Sequence, residues 1–368
     1  MKNNKRILFL IDSLNGGGKE RRLIQLIKGL NDNAFNDLYL ISLSDVNDYP
    51  FITNYSVHLQ VLKRKVKWDP GMFFRLFREI KKIKPDMVHS WSVMTAFYAS
   101  PICRLLRIPH VSGFVADCNS LKKFSLHYFA VKLPYRMANA IIGNSRAGLL
   151  AYKVPADKGL VIYNGFEMKR LNVNGDTGYL RNQLCIATPY IVSMAARFDR
   201  MKDFETFFAA AKLLLGKRTD ITFLAIGKGD LYDEFAKRIT GKDSENIRML
   251  GFRNDIEAII KITDIGVLCT NPIYHAEGIS NSLMEFMAFG KPVIATNGGG
   301  VGELIQDQQN GFIIKPQSPD TLASKIDILL SDSQMLHRIG KNAENTITSR
   351  FSLDIMTTNY IQLYEKYS

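Results

Sequence analysis

Residues 275–305 read HAEGISNSLMEFMAFGKPVIATNGGGVGELI. Glu277 and Glu285 stand eight positions apart, and Gly278, Ile279, Ser280 and Asn281 mark a change from loop to helix. Ser280 or Asn281 suits a helix N-cap, so the first amides, around Ser282 and Leu283, are left to meet a ligand. Such a helix start attracts an anion, and the two carboxylates beside it accept hydrogen bonds from hydroxyls. A phosphate next to hydroxyl-binding carboxylates is the chemistry of a sugar or ribose phosphate. Met284, Phe286, Met287 and Phe289 read as the core face of the same helix, which a plain capped surface helix would also show.

Outward from this stretch, short β-rich runs alternate with helical patterns along the whole chain, as in doubly wound α/β sheets. Strands are expected near 6–11, 37–43, 57–62, 86–89, 109–114, 140–143 and 160–163, and again near 189–195, 221–226, 247–250, 265–269 and 292–295. At 368 residues the chain has room for two domains. We place the first at 1–170, a linker rich in Asn, Asp and Gly at 171–188, the second at 189–350, and a terminal helix at 351–368 returning toward the first domain. The expected fold is therefore α/β, two Rossmann-like doubly wound parallel-sheet domains facing a central cleft. Ligands of such sheets sit beyond the carboxyl ends of the strands.

Two of the loops at those ends stand out. NGGGKER, residues 15–21, follows the first strand and opens a helix, so Gly17 and Gly18 allow backbone amides close to an anion. The spacing is neither a dinucleotide fingerprint nor a phosphate loop with its Lys-Ser/Thr pair. AARFDRMKDFE, residues 195–205, opens the second domain, and its Arg197 and Lys202 flank a turn where both cations suit a diphosphate.

The run EGISNSLMEFMAFGKPVIATNGGGVGELI resembles the donor-site signature of retaining glycosyltransferases of the GT-B fold, most closely glycosyltransferase family 4 (glycosyl transferases group 1). NGGGKER is similar to that family's N-terminal glycine loop, and AARFDRMKDFE to its diphosphate clamp. The resemblance implies that Glu277 meets hydroxyls of the transferred sugar and Glu285 the ribose. It also implies that Arg197 and Lys202 hold the diphosphate with amides near Ser282 and Leu283, and that Gly251 and Phe252 meet the base. Gly17 and Gly18 would approach the donor phosphate and the acceptor from the first domain. Gly278 and Ile279 complete the donor loop. Many relatives place a histidine in the loop after the strand that here runs through PHVSGFVADCNS, residues 109–120. Val115, Ala116 and Asp117 stand there instead, which leaves Asp117 as a candidate for orienting the acceptor, while His89 and His110 read as structural.

The implied function is transfer of a hexose or N-acetylhexosamine from a nucleotide sugar, a UDP-sugar preferred, to a glycan or lipid-linked saccharide in surface polysaccharide or glycolipid assembly. No Asp-x-Asp triplet occurs in the chain, so no metal and no cofactor are expected, the cations serving in place of a divalent ion. Loss of the diphosphate with retention at the anomeric carbon follows from the resemblance alone.

The formal charge of +13 is uneven: residues 1–188 hold 28 Lys or Arg against 13 acidic residues. KRKVKWDPGMFFRLFREIKKIKP, residues 63–85, concentrates nine of those cations around a stripe of Phe73, Leu76, Phe77 and Ile80. An anionic membrane surface near a lipid-linked acceptor would account for them. The four cysteines, at 103, 118, 185 and 269, form no CxxC pair, and the N-terminal apolar run Ile7–Ile11 is too short for a signal peptide. The expected location is cytoplasmic, peripheral at the inner membrane face. A non-catalytic sugar-nucleotide-binding protein remains an alternative. A basic nucleic-acid-binding protein is a weaker one, because no zinc-finger or helix-turn-helix signal occurs and nucleic acid is not an expected partner.

Overall fold

Seven short runs dominated by Ile, Leu, Val and Phe form the first sheet: β1 (Ile7–Ile11), β2 (Leu38–Ser42), β3 (Val57–Val61), β4 (Met87–Ser90), β5 (His110–Val115), β6 (Ala140–Gly143) and β7 (Gly159–Val161). The computed structural model describes residues 5–66, 68–115, 117, 125–173, 175–241 and 243–367, apart from the side chains at 114, 126, 243 and 244. All neighbouring strands run parallel, in the order β3-β2-β1-β4-β5-β6-β7. Alternation in β1 sends Ile7, Phe9 and Ile11 to one face and Leu8 and Leu10 to the other. On the first face they meet the helix Gly18–Asp32 and the last helix, Leu353–Tyr367; on the second, the helices Gly71–Ile83 and Val93–Leu106.

The chain divides into two compact units, Met1–Gly165 with Leu353–Ser368, and Phe166–Ser352. The terminal helix thus belongs to the first unit. It lies so close to the helix Gly18–Asp32 that a Cβ on Gly29 would stand 2.2 Å from Thr357 Oγ1, so only glycine fits at that contact. Its Tyr360 and Tyr364 are fully buried. Tyr364 Oη pairs with His89 Nδ1 at 2.7 Å, and the buried Arg22 guanidinium donates to Tyr360 Oη and to Ile162 O and stacks on Trp91.

The second unit repeats the winding with β8 (Tyr190–Ala195), β9 (Ile221–Ile226), β10 (Ile247–Gly251), β11 (Ile265–Leu268), β12 (Val293–Thr296) and β13 (Phe312–Ile314), in the parallel order β10-β9-β8-β11-β12-β13. Each sheet therefore reverses direction beside its first strand, between β1 and β4 and between β8 and β11. In open parallel sheets that reversal opens a crevice at the carboxyl ends of the two strands.

Three sequence expectations change. The stretch 171–188, read as a linker, contains the helix Thr177–Gln183, whose Leu180 is buried with Leu184 and Ile186 against Ile191, Leu224 and Ile259 of the second unit. Its apolar residues are too few to show a period, yet three of them suffice to dock it. The units accordingly meet in sequence at Gly165 and Phe166, and again at Ser352 and Leu353, rather than at 170 and 350. In the helix Gly71–Ile83 the core face is Met72, Leu76, Ile80 and Ile83, while Phe73 and Phe77 are only half-buried and Phe74 is 65% exposed. Among the described residues no helix is long and apolar enough to cross a membrane.

His89 and His110 lie inside the first unit. His110 sits between Ser90 Oγ at 2.9 Å and Ser100 Oγ at 3.3 Å, and burial lowers its pKa to about 3. Burial, aided by the neighbouring Arg22 charge, holds His89 well below the ordinary histidine range.

Candidate functional site

The crevice of the second sheet is framed by the loops after β8 and β11. The first loop is fixed by Phe198, which is fully buried and stacks on Phe204 at 3.8 Å. It is stitched to the second through Asp203 N to Cys269 O at 2.9 Å and Asn271 N to Met201 O at 2.9 Å. Between these bonds Lys202 bridges to Thr270, and its ammonium pairs with Glu277 Oε2. The two side chains are only 14% and 15% exposed. His275 Nε2 stands 3.4 Å from the same carboxylate oxygen. Burial alone would raise the Glu277 pKa, but the Lys202 ammonium and the His275 ring outweigh it and hold the carboxyl at about 2. Glu277 is thus a largely buried carboxylate kept ionised, able to accept hydrogen bonds.

Glu277 is also fixed through its backbone. Gly299 has φ of 55°, and a Cβ there would stand 1.8 Å from Glu277 O. The next amide, Gly300 N, donates to that oxygen at 2.8 Å. The glycine run after β12 therefore clamps the loop that carries the carboxylate, a contact open only to a residue without a side chain.

Past Glu277 the chain enters the helix Asn281–Ala288, capped by Ser280, whose Oγ accepts from Leu283 N at 3.4 Å. Ser282 Oγ donates to Ala195 O at 2.7 Å and ties the helix start to the end of β8. The cap engages the Leu283 amide, whereas the Ser282 amide makes no hydrogen bond among the described residues. Gly278 and Ile279 are both buried. One turn on, Glu285 is buried at 7% exposure and accepts from Arg170 Nη2 at 2.9 Å.

Arg197 lies apart from the pair at Glu277. Its side chain is 66% exposed, with Nε 3.4 Å from Asp199 Oδ2. At the outer edge of the sheet, Gly251 O accepts from Gly227 N at 2.8 Å. Phe252 is 62% exposed, with Lys228 Nζ 4.9 Å above its ring.

In the first unit, Gly17 is the N-cap of the helix Gly18–Asp32, at the carboxyl end of β1 beside the reversal with β4. Its neighbours are already tied down: Gly16 N donates to Asp48 Oδ2 at 2.7 Å, Tyr49 Oη to Gly17 O at 3.2 Å, and Lys19 Nζ reaches Asp12 Oδ1 at 2.5 Å. Asp117 accepts from Tyr152 Oη at 3.0 Å through Oδ1. Ala116 and Cys118, on either side of it, lie outside the described residues.

Two family models together match most of the chain: Glycosyltransferase Family 4 over residues 16–170 and Glycosyl transferases group 1 over residues 178–346. The chain belongs to the family 4 glycosyltransferases. This glycosyltransferase is 25% identical over 300 residues to the Escherichia coli UDP-Gal:alpha-D-GlcNAc-diphosphoundecaprenol alpha-1,3-galactosyltransferase, covering 77% of this chain and 76% of that one. It is 23% identical over 387 residues, 95% of each chain, to an uncharacterized glycosyltransferase of Methanocaldococcus jannaschii. HepE of Anabaena, solved in complex with UDP, superposes with a TM-score of 0.87 at 23% identity over 98% of this chain and 100% of that one. The shared architecture is the GT-B fold, two parallel-sheet α/β domains.

Within the glycosyltransferase's second unit the structure joins Lys202 to Glu277 and sets the capped helix and Glu285 beside them. Arg170, His275 and Lys228 were not singled out by the sequence. His275 stands two positions before Glu277 in the loop after β11, close enough in sequence for both side chains to reach one point. Arg170 had no such signal, because nothing local links it to a residue 115 positions away.

Proposed function

We propose that this glycosyltransferase moves a hexose or N-acetylhexosamine from a nucleotide sugar, by preference a UDP-sugar, to a glycan or lipid-linked saccharide in surface polysaccharide or glycolipid assembly. Retention at the anomeric carbon and independence of metal are part of the proposal. The observation that carries it is the Lys202–Glu277 pair at the reversal between β8 and β11, beside the start of the helix Asn281–Ala288.

In this reading the diphosphate takes up Lys202 and the Ser282 amide, with the exposed Arg197 folding onto it. The bond from the anomeric carbon to the β-phosphate oxygen breaks and its electron pair stays on that oxygen. The fixed positive groups stabilise the new charge without reorganising. The acceptor hydroxyl oxygen bonds to the same carbon on the same face, and its proton passes to the departing phosphate. Glu277 orients the sugar by accepting from its hydroxyls, Glu285 meets the ribose, and the exposed Phe252 offers a face for the base. Gly17 and Gly18 are assigned to the donor phosphate and the acceptor, and Asp117 to orienting the acceptor.

The donor choice is supported by the name of the Escherichia coli relative, which uses UDP-Gal, and by the UDP bound to HepE. The same relative acts on a diphosphoundecaprenol-linked sugar, which supports a lipid-linked acceptor. Membrane contact at the inner face is supported by the helix Gly71–Ile83, where Phe74 stands exposed with Arg78 over its ring and Lys81 and Lys82 close the last turn. A thermal-shift screen of UDP-, GDP- and ADP-sugars tests the donor directly, because a ligand that binds only the folded chain raises its melting point, the more so the higher its concentration relative to its Kd. Stabilisation by a UDP-sugar is expected, and stabilisation by none of the sugars would refute the proposal.

A further inference from the structure

Arg170 lies in the short turn Met168–Leu171, at the start of the second unit. Its side chain is 17% exposed, and its guanidinium lies 5.0 Å from the ring centre of the buried Phe166. The turn itself is anchored by Phe166 N, which donates to Phe351 O at 2.7 Å. From this support Arg170 reaches two acids on two helices. Nε and Nη2 donate to Glu257 Oε1 at 2.7 and 2.5 Å, and Nη2 donates also to Glu285 Oε1 at 2.9 Å. Glu257 stands in the first turn of the helix Ile256–Ile262, and Glu285 in the middle of the helix Asn281–Ala288.

One nitrogen thus holds an oxygen from each of two carboxylates, and a single positive charge faces two negative ones. Without it the two carboxylates would repel, and one of them would turn away. That response spoils Glu285 as an acceptor. A flexible ammonium could supply the charge, but only the planar fork fixes direction at both oxygens.

We propose that Arg170 is a positioning residue for the donor: held on Phe166 and Glu257, it aims Glu285 at the ribose, so that recognition of the ribose depends on the turn at the start of the second unit. The proposal rests on the assignment of Glu285 to the ribose made above. It does not require Arg170 to touch the donor.

The test measures by calorimetry the affinity of the whole chain for whichever of UDP, GDP and ADP binds best, and for its 2′,3′-dideoxy analogue. With the native chain, loss of the ribose hydroxyls should weaken binding about 10-fold or more, the worth of a hydrogen bond to a charged acceptor. E285Q should remove most of that penalty. R170M should do the same although Glu285 is intact, leaving the two nucleotides within about 3-fold of each other, and R170K should restore part of the difference. If R170M keeps the native penalty, whether or not both affinities fall together, Arg170 only supports the fold and the proposal is overturned. If the native chain does not distinguish the two nucleotides, or E285Q keeps the penalty, the ribose assignment itself fails and Arg170's role with it. Melting curves of each variant identify misfolding, and E257Q, which loosens Arg170 from the opposite side, must shift the penalty in the same direction as R170M.

Discussion

Lys202 and Glu277, 75 positions apart in sequence, meet as a nearly buried ion pair where the second sheet reverses direction. In the proposed reaction these groups serve different parts of one donor, the cation its diphosphate and the carboxylate its sugar. Their pairing keeps each charge compensated in a site that burial would otherwise penalise.

Replacing Lys202 by Ala should therefore lower turnover by about 100- to 1000-fold, the usual cost of one preorganised charge stabiliser. Glu277→Ala should abolish transfer yet spare much of the affinity for the free nucleoside diphosphate, because that ligand lacks the sugar. Initial rates and calorimetry on the two variants check both statements. Native turnover in Glu277→Ala would remove the carboxylate from the mechanism.

The glycine clamp gives a second test away from any charge. Gly299→Ala places a Cβ against Glu277 O in a left-handed backbone and should cost both stability and transfer. Gly302→Ala, three positions on, meets no atom within 4 Å and should leave transfer unchanged. Urea denaturation and rate measurements on the pair separate the clamp from a general effect of alanine in this loop.

The buried histidines set a pH dependence for the first unit. Folding depresses their pKa values, so between the ordinary histidine value of about 6.5 and the His110 value of about 3 the unfolded chain binds more protons than the folded one. Stability is fully present above pH 6.5 and falls as the pH drops through that window, by at most about 1.4 kcal/mol per pH unit for each histidine. Urea midpoints at pH 7.5 and 5 should show this loss, and His110→Gln should reduce it.

Tyr360 offers a stability test at the terminal helix. Arg22 is buried and donates to Tyr360 Oη and Ile162 O. Tyr360→Phe strips an acceptor from a buried cation and should cost about 1–3 kcal/mol. Arg22→Met with Tyr360→Phe should cost less than the sum of the two single changes, since the stranded charge is gone. Denaturation of the four chains gives the coupling.

Most of the architecture was legible from hydrophobic pattern, because strands buried on both faces, such as LFLI in β1 and ITFLAI in β9, cannot be mistaken for loops. What pattern missed was short or non-local. β13, of three residues, was missed, although β7 of the same length was marked. The docked segment 177–186 looked like a linker because its polar residues outnumber the three side chains that hold it. At the site, the two glutamates and Lys202 were singled out by spacing and loop position, and the structure joins Lys202 to Glu277 while Arg197 stands exposed beside Asp199. Arg170 was not, because its partners come from helices that only the folded sheet brings alongside.

The proposed donor site requires the second unit to hold a nucleoside diphosphate through Lys202. Calorimetric titration of the purified chain with UDP, GDP and ADP at millimolar concentration measures this. Saturable binding of at least one of them, weakened about 10-fold or more in Lys202→Ala, is predicted. Absence of heat with all three, or equal affinity in the native and Lys202→Ala chains, would contradict it.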